Sequence, residues 1–118
     1  MTDINPKRGE ISIKLGDKEY KGRVTLDAMM KIETSMNMGL LQIAQRLSDG
    51  GLTLNEMGTI ITPVIRGGGN DLTQNDVLKM VWDSGTMHCF KIVSDIISNA
   101  LNPDGDDAKK KEAVAEAS

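Results

Sequence analysis

Large aromatic side chains are nearly missing from this chain of 118 residues, which has one Trp, one Tyr and one Phe. Its core must therefore be aliphatic and filled in part by the eight methionines. Cysteine is scarcer still. The lone Cys89 excludes an internal disulfide, and with His88 as the only histidine there is no Cys/His set to hold a metal. Cys89 reads as a small core residue. No apolar run approaches the ~20 residues that span a bilayer. The stretch Met1 to Glu10 is polar where a signal peptide needs its apolar segment. The expectation is a cytoplasmic protein with no membrane partner.

Basic charge is also thin where a DNA reader would need it. Up to Arg23 the chain carries Lys7, Arg8, Lys14, Lys18, Lys21 and Arg23 against Asp3, Glu10, Asp17 and Glu19. From Val24 to Leu101 it carries only Lys31, Arg46, Arg66, Lys79 and Lys91, outnumbered by carboxylates. A helix-turn-helix protein needs a cationic footprint to neutralise phosphates, so nucleic acid is not an expected partner.

What is present is a succession of short amphipathic elements, enough for one domain at 1–101 with a hairpin at 9–25 and helices at 26–101. Ile11, Ile13 and Leu15 alternate with Ser12 and Lys14, and Tyr20, Gly22 and Val24 alternate with Lys21, Arg23 and Thr25. Between them Gly16-Asp17-Lys18-Glu19 supplies turn chemistry. That is an antiparallel hairpin with one wet face, and its apolar face must lie on the helices or on another subunit. Its edges can pair with another chain.

Thr25 is placed to cap a first helix through Leu26, Met29, Met30 and Met36, and Leu40, Leu41, Ile43, Ala44 and Leu47 form a second. Thr53 with Glu56 is a capping box opening a third helix whose stripe is Leu54, Met57, Ile60, Ile61, Val64 and Ile65. Pro63 should kink that helix or restart its last turn. Thr73 with Asp76 opens a fourth, with Val77, Leu78, Val81 and Trp82 as its stripe. The fifth, from Met87 to Leu101, is the most apolar and is expected to be the central one. The fold class is α+β, mainly α: an N-terminal β-hairpin packed on a compact bundle of about five short helices. Residues 102–118 read as a disordered charged tail, with helix propensity over Ala108 to Ala117.

No pattern here carries catalysis. Gly67-Gly68-Gly69 lacks the Gly-Lys-Ser/Thr ending of a phosphate loop and follows a helix instead of a strand. Asp71, Thr73 and Asn75 imitate a calcium loop, but Asp76 stands where glycine is required and Trp82 where glutamate is. Carboxylates are scattered, and no nucleophile has a base at motif spacing. The chain is expected to be no enzyme and to take no cofactor, metal or small-molecule substrate. The candidate binding residues are Met29, Met30, Met36, Met38, Leu40 and Leu41 with the hairpin edge. Flexible thioethers suit a surface that accepts several apolar partners, though they also fill gaps in a core poor in aromatics.

Arg8-Gly9-Glu10 opening a strand, a turn before Tyr20, Thr25-Leu26-Asp27-Ala28 leading to Ile32-Glu33, Gly39, and the helix end at Leu47 to Gly50 form an ordered set. Leu52-Thr53-Leu54 with Glu56, Arg66-Gly67-Gly68-Gly69, and Leu72-Thr73 before Val77 continue it. The succession, from Arg8 to Leu101, resembles the small tail-assembly chaperones of bacteriophages and gene transfer agents, encoded beside the major tail protein. The resemblance implies a non-catalytic binding protein that coats the tape-measure protein, recruits major tail tube subunits, and is not expected in the finished particle. In related systems a longer form arises by ribosomal frameshifting near the C-terminus; Lys109-Lys110-Lys111 is the run here whose codons would have to be slippery, and whether such a form exists is left to the gene sequence. A structural, tube-associated tail protein is the first alternative and a small helix-turn-helix regulator the second. Self-association is left open.

Overall fold

The computed structural model describes residues 9–102; Arg8 and the expected tail beyond Asn102, with its lysine run, lie outside them. The antiparallel hairpin is β1 (Glu10–Leu15) and β2 (Lys18–Arg23). Five helices follow: α1 (Leu26–Met36), α2 (Leu40–Ser48), α3 (Leu54–Gly67), α4 (Gln74–Ser84) and α5 (Thr86–Leu101). This is the mainly helical α+β architecture that the sequence pattern implied.

The hairpin turn is tighter than the four residues expected. β2 starts at Lys18, leaving Gly16 and Asp17 as a two-residue loop, with Gly16 at φ +64° in the first central position as such turns require. Ile11, Ile13 and Leu15 face the helices, and Glu10, Ser12 and Lys14 share the opposite, wet face with Arg23, Lys21 and Glu19.

Helix starts follow the local chemistry. The Thr25 hydroxyl accepts from the Ala28 N–H at 3.0 Å. Thr53 and Glu56 form the reciprocal capping box, as do Thr73 and Asp76. α2 is started partly from outside itself: the Glu33 carboxylate of α1 accepts from the Leu40 N–H at 3.0 Å, while Gln42 within α2 accepts from the Gly39 N–H at 3.2 Å. A negative charge at a helix N-terminus also favours the helix dipole. Asn37, at φ 55°, ends α1 in the left-handed conformation. Pro63 neither stops nor restarts α3, which continues past it to Gly67 as one element.

The core differs from expectation at its centre. α3, not α5, is the hub, touching β2, α1, α4 and α5. Met57, Ile60, Ile61, Val64 and Ile65 are all buried, more than one stripe's worth, because α3 is sandwiched by neighbours on several sides. The apolar width of α5 overstated its share. Its first turn, with Met87 82% exposed, projects beyond the core, and only Cys89, Ile92, Val93, Ile96 and Ile97 are buried. Trp82 also leaves its expected stripe and is 68% exposed. Val77 and Val81, four apart, form the buried line of α4, while Met80 packs at its margin and takes the Tyr20 hydroxyl at 3.4 Å. The buried cluster therefore holds no aromatic residue at all.

Two glycines allow elements to meet. A Cβ on Gly58 would lie 2.5 Å from Leu78 Cδ2, so its absence lets α4 close on α3. At Gly68 a Cβ would fall 1.9 Å from the Lys21 carbonyl oxygen, so the end of α3 sits directly on β2. The triple-glycine segment is thus a docking joint for the hairpin as well as a helix terminus.

Candidate partner-binding surface

The α1–α2 region carries the exposed apolar residues that the methionine pattern pointed to, though not on all the predicted side chains. Met30 is 56% exposed and Leu41 75% exposed. Met29, one position from Met30, turns inward and is 7% exposed, since the inner face of α1 is Ala28, Met29 and Ile32. Met36, Met38 and Leu40 are half-buried against the core. The region's adaptable thioethers are thus split between core filling and surface.

Leu26, absent from the predicted set, is 77% exposed at the start of α1 and lies four positions before Met30 on the same helix face. Its position in the first turn, just after the Thr25 cap, was the available signal. A hollow of about 480 Å³ opens beside it, lined by Val24, Thr25, Leu26, Met29, Leu40 and Ala100 among others. Two predicted residues, Met29 and Leu40, therefore meet in one concavity with Leu26. That hollow joins the exit of β2, the starts of α1 and α2, and the end of α5.

α2 is lightly held. Ile43 is its only buried residue, and α5 is its chief helical neighbour. Its C-terminal end is fixed by Arg46, whose guanidinium donates to both Glu56 oxygens, at 2.7 and 2.9 Å. Pairing across ten positions and two helices left no trace in local sequence. The Thr53 backbone N–H is the main cause holding the Glu56 carboxyl below its usual range, assisted by Arg46. Asp76 is lowered likewise by the Thr73 N–H. Both shifts arise from helix capping, so they mark structure and not acid–base chemistry.

A second hollow of about 620 Å³ between α1 and the C-terminal half of α3 is polar, with Thr25, Lys31, Thr59, Pro63, Arg66 and Gln74 in its wall. Its cations already face carboxylates: Lys31 meets Asp27 at 3.1 Å and Arg66 meets Asp71 at 3.9 Å. Cys89 is buried, and burial pushes its thiol pKa up, which keeps it protonated and unreactive. Among the described residues no helix is long and apolar enough to cross a membrane, and no group of His, Cys, Asp and Glu is placed to hold a metal ion.

What the geometry offers is an apolar contact surface on a small helical body. The family described as "Phage tail tube protein, GTA-gp10" has a model that matches residues 8–103, and the chain belongs to that family. It is thus a member of a phage and gene-transfer-agent tail family, as the ordered motifs implied at that coarser level. No curated protein and no solved structure matches it.

Proposed function

We propose that this chain is a tail-assembly chaperone that holds apolar helical segments of the tape-measure protein on its α1–α2 surface and brings tail-tube subunits to them. It acts without catalysis, in the host cytoplasm, and leaves as the tube polymerises. The observation that carries this reading is the set of exposed apolar side chains Leu26, Met30 and Leu41 on α1 and α2, of which Leu26 also lines a hollow with Met29 and Leu40. Such a surface suits an amphipathic helix laid in a groove, and several weak contacts of this kind can be released one by one. Helical cations give little support to DNA binding, because Lys31, Arg46 and Arg66 each face a carboxylate.

The family description favours a second reading, a structural component of the tail tube. A tube wall made by strand pairing calls for extended sheet, whereas the described residues form one two-stranded sheet. Co-expression with the tape-measure protein of the same gene cluster, followed by mass spectrometry of finished particles, separates the two. Soluble tape-measure protein that travels with this chain, and particles free of it, is the expected result. An insoluble tape-measure protein with this chain stoichiometric in particles would instead establish the structural role.

A further inference from the structure

The hairpin has two outer edges, and they are not equally available. On β2 the Lys21 carbonyl accepts from the Asn70 amide at 2.7 Å, and Gly68 packs against the same oxygen. The end of α3 thus covers that edge. On β1 the ladder register turns the N–H and C=O groups of Glu10, Ser12 and Lys14 away from β2. The Gly9–Val24 pair exchanges a ladder bond at 2.8 Å, and the bonding alternates along the strand from there. Among the described residues, the contact recorded on that outward row is His88 Nε2 at 2.6 Å from the Lys14 carbonyl oxygen.

The side chains of the outward row have a symmetric charge pattern. Glu10 and Lys14 stand two positions either side of Ser12 on the wet face, and all three point the same way. If a second β1 is laid antiparallel with Ser12 opposite Ser12, each Glu10 faces the other copy's Lys14. The row across the resulting four strands then reads Arg23, Glu10, then Lys14 and Glu19 of the second copy, with alternating sign throughout. On the opposite face Ile11, half-buried in one copy, is set against Ile13 of the other.

We propose that β1 is a self-association edge, through which two copies of this chain join by antiparallel β1–β1 pairing about a two-fold axis at Ser12. Pairing of like with like uses up the edge on both copies and closes at a dimer, so it gives no filament. The Lys14 oxygen has two lone pairs and can accept from Glu10 of the second copy while keeping its contact to His88. The proposal is independent of what the α1–α2 surface binds.

Sedimentation of the full chain over a concentration series, with Ser12→Cys cross-linking by a short bis-maleimide, tests it. Cys89 is buried and gives no background. The wild type should form a concentration-dependent dimer. Lys14→Glu, which sets like charges opposite one another twice, should weaken it by about tenfold. Lys18→Glu, the same charge change at the hairpin turn, should leave it unaltered, and Lys14→Gln should fall between. Ser12→Cys should cross-link and Asp17→Cys should not. A wild type that stays monomeric throughout, a dimer indifferent to Lys14→Glu, or equal cross-linking at positions 12 and 17 would overturn it.

Discussion

α3 and α2 are both amphipathic helices, but one is built into the molecule and the other is laid on it. α3 spans Leu54–Gly67 and buries seven residues against the hairpin and three helices. α2 spans Leu40–Ser48 and buries Ile43 alone. The difference shows where partner binding costs least. Disturbing α3 disturbs every neighbour, whereas α2 and the exposed face of α1 can meet another apolar surface without unpacking the core. The proposed chaperone surface lies on the loosely held side, with the framework elsewhere.

The contrast should be visible first in matched core truncations. Ile61→Ala in α3 should destabilise by about 4 kcal/mol and Ile43→Ala in α2 by about 2 kcal/mol. Both side chains are wholly buried, so the gap reports how far the surroundings can collapse into the cavity. Urea unfolding midpoints measure it, and equal losses would mean that α2 is as rigidly packed as α3.

Glycine substitutions sharpen the same point in α3 and at its C-cap. Gly68→Ala drives a methyl into the Lys21 backbone and should cost about 3 kcal/mol, with weakened protection of the hairpin amides in hydrogen exchange. Gly58→Ala meets the Leu78 side chain, Cδ2 at 2.5 Å and Cγ at 3.0 Å, instead of backbone at that distance, and should cost less, about 1–2 kcal/mol. A smaller effect at 68 than at 58 would show that the hairpin is not anchored by this joint.

Caps come next. Thr53→Ala should cost about 1 kcal/mol by orphaning the Glu56 N–H at the start of α3. The Glu56 carboxyl adds a pH dependence of defined sign. Its folded pKa lies below the ordinary value, first because the Thr53 N–H donates to the charged form. Its stabilisation is therefore complete above about pH 4.3, the ordinary glutamate value, and is lost as pH falls through the lower folded value. Glu56→Gln should flatten that acid limb in pH-dependent melting; an unchanged limb would assign it to other carboxylates.

Much of this plan was legible because its causes are local. Thr53 with Glu56 and Thr73 with Asp76 sit three residues apart, and alternation fixed which hairpin face is apolar. Hub status was not legible. Apolar content says how much of a helix is buried, not how many neighbours bury it, so α5 looked more central than α3. Trp82 misled for a related reason: hydrophobicity alone did not reveal that the line through Val77 and Val81 sufficed to dock α4. The Arg46–Glu56 pair and the seat of Gly68 on Lys21 depend on tertiary approach. In the α1–α2 region the sequence singled out a run of methionines and leucines, whereas helix phase decided that Met30 is exposed and Met29 buried.

The smallest stability effect carries the largest functional consequence. Met30→Ser and Leu41→Ser remove exposed side chains and should each change stability by no more than about 0.5 kcal/mol. The most direct test is co-purification of the tape-measure protein with the wild type and with the Met30→Ser/Leu41→Ser double variant, after thermal melts confirm that both are folded. The account predicts that the wild type retains the tape-measure protein in solution and that the folded double variant loses it. Full retention by the double variant would contradict the assignment of this surface.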